Sequence, residues 1–203
     1  MSGSLDKFRT PNTNKAMGIE IECFFLHRWE DDISIPEYTH VGFFYAHTDA
    51  SINTPSWRDI AREFVSQPLS APWLKKEIHK LSRKLPTWST NESCGVHIHV
   101  SRKWLSDQRA QKIWDFVKSL PTADFYDLFG RKPNGYCLVT GRLGDTRYQT
   151  INTTNTNTIE FRMFKSGDPK WCCYCVDMVE YLINNANQLN ISAVSAFRDQ
   201  YKF

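Results

Sequence analysis

Three segments carry polar residues two apart in apolar surroundings: Gly18-Ile19-Glu20-Ile21-Glu22, Gly95-Val96-His97-Ile98-His99-Val100 and Thr158-Ile159-Glu160-Phe161-Arg162-Met163. In a strand, residues i and i+2 share a face and lie roughly 6.7 Å apart. Glu20/Glu22, His97/His99 and Glu160/Arg162 therefore each fall on one face, with aliphatic and aromatic residues on the other. A half-buried sheet shows a polar face to water in any case, but usually as a mixture of Lys, Thr, Ser, Gln and Glu. Here every position is a type that ligates metal or binds phosphate. Neighbouring carboxylates on one strand repel, and a cation relieves them. The device, repeated three times, points to one shared site for a divalent metal and a nucleotide. Oxygen ligands with an occasional imidazole suit Mg²⁺ or Mn²⁺, whereas zinc prefers more His or Cys. An arginine beside such carboxylates fits a phosphate that bridges both. Neither Gly-x-x-x-x-Gly-Lys-Ser/Thr nor Gly-x-Gly-x-x-Gly occurs, so nucleotide binding would rest on metals and arginine rather than on a glycine cradle.

These pairs need strands to present them and helices to cover their apolar side. Strands are expected over 17–26, 41–46, 60–65, 96–100, 136–140, 147–151 and 158–164, the last two joined as a hairpin by the polar turn 152–157. Ser70 is placed to cap a helix with the stripe Leu74, Ile78, Leu81 and Leu85, closed by Pro86. Ser106 is placed to cap a second, with Ala110, Ile113, Val117 and Leu120 on one side. A short helix over 122–129 stops at Gly130. Asp168-Pro169 opens a long helix, since Asp caps and Pro suits the first turn. A last short helix begins near Ser192. The order predicts an α+β domain over 17–203, a mixed or antiparallel sheet with helices on one face, behind a flexible lead-in over 1–16.

Apolar residues make up 41% of the 203 residues and charged ones 23%, which supports a real core and argues against global disorder. The net charge of +3 is mild, and the Lys and Arg are scattered. That favours an anionic small ligand and gives no support for a nucleic-acid partner. Residues 1–10 hold no apolar segment of the kind a secretory signal needs, and no run of about eighteen apolar residues occurs. A cytoplasmic protein with no membrane partner is expected, and its six cysteines read as reduced thiols.

The collinear set of blocks resembles the amidoligase family, in the carboxylate–amine ligase superfamily of glutamine synthetase and glutamate–cysteine ligase. The blocks are Gly18–Glu22, Asp49-Ala50-Ser51, Arg62-Glu63-Phe64-Val65-Ser66 with Pro68, Cys94–Val100, Arg147-Tyr148 with Asn152, and Thr158–Arg162. They run from Gly18 to about Gly167. The resemblance implies a curved, mostly antiparallel sheet like the glutamine synthetase catalytic domain, with helices on its convex face and ATP and Mg²⁺ on the concave one. It implies a ligase in which ATP activates a small-molecule or peptide carboxylate as an acyl phosphate, which an amine then attacks. It assigns Glu20, Glu22, Glu63, His97 and Glu160 as metal ligands with His99 adjoining, Arg162 and Arg147 to the transferring phosphate, and Asp49 to the incoming amine. It also allows a homo-oligomer. The chain departs from the pattern after Glu63, where Phe64, Val65, Ser66 and Gln67 offer no further carboxylate.

Two other readings stand beside the ligase. One is a catalytically weak relative that binds a nucleotide or protein partner; the other is a guanidino-type phosphotransferase with a stable phosphorylated product. Trp171-Cys172-Cys173-Tyr174-Cys175 resembles a thioredoxin motif, but the residues after it read as helix where that fold needs further strands, so buried thiols are expected. Cys94 could be a nucleophile beside His97, or a small residue packed under its strand. His27, His40, His47 and His79 read as surface residues, and Lys75-Lys76 and Arg83-Lys84 as the solvated side of their helix.

Overall fold

The computed structural model describes residues 15–26, 36–201 and 203. Residues 1–14 of the expected lead-in over 1–16, the acidic loop 30–32 and His27 lie outside the described residues. The elements are β1 (Met17–Phe25), β2 (Thr39–Val41), β3 (Phe44–His47), β4 (Ile60–Ser66), α1 (Ala71–Lys84), β5 (Gly95–Ser101), α2 (Asp107–Ser119), α3 (Thr122–Phe129), β6 (Ile151–Asn152), β7 (Thr158–Lys165), α4 (Pro169–Asn184) and α5 (Ile191–Asp199). The fold is α+β. Its strands form one open sheet in the order β2-β3-β4-β1-β5-β7-β6, every neighbouring pair antiparallel.

Strand periodicity sorts the chemistry. Ile19 and Ile21, Val96 and Ile98, and Ile159 and Phe161 are fully buried in one core cluster with Leu74, Ile78, Ile113, Val117 and Val179 from the helices. The opposite face carries the charged pairs. Helix α1 packs on α4, α2 on α4, α4 on β5 and α3 on β7. The helix ends follow local chemistry: Ser106 Oγ accepts from Arg109 N, Asp168 accepts from Trp171 N at 2.7 Å, and Asn190 accepts from Ala193 N at 2.9 Å. Gly130 ends α3 in the left-handed region at φ 74°, where a β-carbon would also stand 2.9 Å from the Trp171 ring. Ser70 precedes α1, but its side chain makes no capping hydrogen bond; Pro72 in the first turn sets the start instead.

Several expectations need correction. The strand over 41–46 is a hairpin, because Gly42 turns at φ 67° and splits it into β2 and β3. The strands over 136–140 and 147–151 are not regular either: only Ile151–Asn152 forms a strand, and the rest makes isolated bridges. Buried Gln149 explains this. Its Nε2 donates to Thr140 O at 3.1 Å and Arg142 O at 2.6 Å, and its Oε1 accepts from Gly144 N at 2.8 Å. A side chain thus satisfies backbone groups that a ladder would otherwise pair. Lys75 is not on a solvated face; its Nζ pairs with Asp177 at 2.6 Å and ties α1 to α4. All six cysteines are free and buried. Burial pushes the thiols of Cys172 and Cys175 far up and that of Cys173 to about 11, so the thioredoxin-like motif is packing. Among the described residues no helix is long and apolar enough to cross a membrane.

Candidate metal and anion site

Cross-strand register assembles the polar pairs. Glu63 on β4 stands opposite Glu22 on β1, Glu20 opposite His97 on β5, and His99 opposite Glu160 on β7, with Asn152 of β6 beyond it. Side chains directly opposite in antiparallel strands stand about 4.5–5.5 Å apart at Cβ, so groups far apart in sequence converge. The register of β5 on β7 shifts between Val96 and Ile98, and Met163 and Phe164 are both fully buried there. Alternation alone keeps Arg162 on the polar face beside Glu160, and the irregularity beyond it lets two successive residues turn into the core.

The contacts are close. His97 Nδ1 lies 3.0 Å from Glu20 Oε2 and 3.6 Å from Glu160 Oε1, and its Nε2 lies 3.7 Å from Glu22 Oε1. Glu22 Oε2 accepts from Gly95 N at 2.5 Å. A β-carbon on Gly95 would sit 2.9 Å from His97 Nε2, so glycine is required for this approach. His99 Nε2 stands 2.8 Å from Glu20 Oε1, close enough for strong attraction yet off the line a hydrogen bond needs. Arg162 pairs with Glu160, whose other oxygen accepts from Asn152 Nδ2 at 2.7 Å.

The charges are unevenly balanced. Burial first, then the charges of Glu20, Glu22 and Asp49, push the Glu63 carboxyl up to about 9. Burial also raises Glu22, against the pull of His97. Burial acts upward on Glu20 too, but the contacts with His97 and His99 outweigh it and hold that carboxyl well below the usual range. Burial would lower His99, and Glu20 raises it instead.

All the residues singled out from sequence line one cavity of about 660 Å³: Glu20, Glu22, Asp49, Glu63, His97, His99, Arg147, Glu160 and Arg162. Glu20, Glu63 and His97, Glu20, His99 and Glu160, and Glu22, Asp49 and Glu63 each offer ligand atoms within 4.8 Å of one another. Ligands side by side on one octahedral Mg²⁺ stand about 3 Å apart, near the separations of His97 and His99 from Glu20. Carboxyls this crowded, one of them holding its proton far above its ordinary range, together with two imidazoles at ligand spacing from Glu20, fit a divalent cation. Arg147 is exposed, its guanidinium stacked on Tyr148 at 4.9 Å, and reaches the cavity from the loop before β6.

Other residues have roles that the sequence reading did not give them. His47 is no lone surface residue, since its Nε2 lies 2.9 Å from Glu63 Oε2 and the two are register partners on β3 and β4. Asn152 belongs to a quoted block, but its hold on Glu160 needs β6 and β7 paired. Tyr136 and Tyr148 form an edge-to-face wall of the cavity. Cys94 is no nucleophile paired with His97: both imidazole nitrogens face carboxylates, Cys94 Sγ faces Asn91 Oδ1 at 3.7 Å, and burial pushes its thiol up. No protein-family model matches the chain, and no curated protein matches it.

Proposed function

We propose that this chain is an ATP- and Mg²⁺-dependent carboxylate–amine ligase of amidoligase type, built on a glutamine synthetase-like sheet. The observation that carries the reading is the single cavity in which five carboxylates, two imidazoles and two arginines meet. A polyphosphate cannot enter among five carboxylates unless divalent cations neutralise both, and arginine is the residue suited to the phosphate that remains. Glu20, Glu22, Glu63, His97 and Glu160, with His99 adjoining, would hold Mg²⁺ or Mn²⁺, which supplies charge neutralisation between nucleotide and substrate carboxylate.

The chain's own residues then divide the work. Arg162, braced by Glu160 and through it by Asn152, and Arg147, held against Tyr148 on its loop, bind the γ-phosphoryl group and offset its charge as the substrate carboxylate attacks. The acyl phosphate and ADP result. Asp49, whose Oδ1 accepts from Ser51 N at 2.8 Å, sits at the mouth of the carboxylate cluster to accept the proton of the amine as it displaces phosphate. An adjoining cavity of about 430 Å³ over Gly18, Val65 and Pro68 gives room for the uncharged parts of nucleotide or substrate.

The test is ADP and phosphate release from ATP with Mg²⁺ across panels of carboxylates and amines, with amide product followed by mass spectrometry. Amide formation that depends on both substrates, and that drops about 10³-fold or more in Arg162→Ala, supports the reading. ATP turnover indifferent to Glu20→Ala and Arg162→Ala sinks it. A second reading is favoured by the way both imidazoles already neutralise Glu20: a binding module that takes nucleotide without turnover. It predicts metal-dependent ATP binding with no amide from any pair.

A further inference from the structure

Arg131 follows Gly130 directly, so its backbone is fixed where α3 stops against Trp171 of α4. Its side chain is 3% exposed, and its Nε has no hydrogen-bond partner among the described residues. Nor does a described carboxylate form an ion pair with it. Arg62, similarly buried, shows what a structural guanidinium does: it donates to Pro36 O and Ala61 O at 2.8 Å each and pairs with Glu37. A guanidinium has five donors and no means of losing its charge, so burying one unpaired is expensive unless a partner arrives.

The Arg131 guanidinium points into the site. Its Nη1 would stand 3.1 Å from a β-carbon on Gly95, a point that His97 Nε2 and Glu22 Oε2 also crowd. There it lines a small cavity of about 30 Å³ with Glu22, Ser51, His97, Tyr136 and Arg162. The Nε of Arg162 is likewise buried and without a partner. Two guanidiniums with unspent donors thus border a space about the size of one water's share of the liquid, enough for one oxygen of an anionic group whose remainder lies in the main cavity, and too small for a nucleotide.

We propose that Arg131 and Arg162 form an oxyanion subsite adjoining the main cavity, bordered by Ser51 and Tyr136. The subsite takes one carboxylate or phosphoryl group. This deepens the ligase reading and rests on it for the source of the anion: a carboxylate of the substrate, or the phosphoryl group in transfer. The planar fork of arginine matches either one by paired hydrogen bonds, which lysine cannot reproduce.

Orthophosphate and acetate, titrated separately into the nucleotide-free protein saturated with Mg²⁺ and followed by calorimetry, test this. Wild type should bind at least one of them, about tenfold or more tighter than Arg131→Gln, with Arg131→Lys between. Binding of phosphate alone identifies a phosphoryl subsite, and binding of acetate as well identifies a substrate carboxylate subsite; both support the inference. Arg131→Gln should keep its melting temperature and its Mn²⁺ affinity by EPR, because it removes a charge that has no partner. Wild type that binds neither anion, Arg131→Gln that binds like wild type, or Arg131→Gln that loses fold and Mn²⁺ together each overturns it. Absence of ATP-dependent amide formation with anion binding intact would sink the ligase reading and leave the subsite standing.

Discussion

Glu63 is the carboxyl most strained by its neighbours, facing Glu22 in register, Glu20 and Asp49 nearby, and relieved by His47. Its carboxyl rises from an ordinary 4.5 to about 9, so at neutral pH the folded protein keeps a proton that the unfolded chain has lost. That contribution to stability is fully present below about 4.5 and disappears as pH rises through about 9. A divalent cation should displace the proton. Titration of Mn²⁺ at pH 7 in two buffers of different ionisation enthalpy should therefore report proton release, and Glu63→Gln should lessen the buffer dependence. Equal heats in both buffers for wild type would show that Glu63 is already ionised. Gly95 offers an independent test: Gly95→Ala should cost about 1–3 kcal/mol through overpacking against His97 and weaken Mn²⁺ binding. Gly18→Ala, whose β-carbon meets nothing closer than 3.8 Å, should leave both unchanged. Chemical denaturation and EPR separate these outcomes.

At the scale of elements, the strands that alternate strictly were readable from sequence because each needs only its own pattern: β1, β5 and β7 present their pairs as spacing predicts. Their convergence on one cavity depends on strand order, which periodicity does not encode; the ordered set of blocks supplied Glu63, Arg147 and Asp49. What stayed hidden was held by single side chains acting over distance. Arg131 carries no local pattern, His47 gains meaning only beside β4, and the loop before β6 is organised by Gln149 rather than by a ladder. The loop gives its own prediction. Gln149→Leu removes three hydrogen bonds to backbone groups of the loop, each worth about 0.5–1.5 kcal/mol. Hydrogen exchange should rise across 138–150, and Arg147 should lose its place at the cavity. Mn²⁺ affinity should hold, since the ligands lie on β1, β4, β5 and β7. Equal loss of Mn²⁺ binding would place the loop inside the metal site rather than beside it.

For the whole molecule, the site belongs to no single element. Its carboxylates and imidazoles come from strands adjacent in the sheet but separated by other strands and helices in the chain, as β1 pairs with both β4 and β5. In the unfolded chain these candidate ligands are dispersed, so a cation held by them would bind the folded state almost alone. Such binding stabilises by about 2.7 kcal/mol at a hundredfold excess over Kd. A domain of 150–250 residues shifts by about 2–4 °C per kcal/mol, so saturating Mn²⁺ should raise the melting temperature by about 5–10 °C, and a chelator should reverse it. The cation displaces the Glu63 proton more readily as pH rises, so the rise should grow between pH 6 and pH 8. Glu20→Gln should remove most of the shift, because Glu20 belongs to two of the three ligand groupings. The shape of the transition carries separate information. If the sheet and its helices unfold as one unit, the whole curve moves with the metal. Two resolved steps, only one of them responsive to Mn²⁺, would divide the chain into a metal-bound part and an independent one, and would overturn the single-domain reading of 17–203.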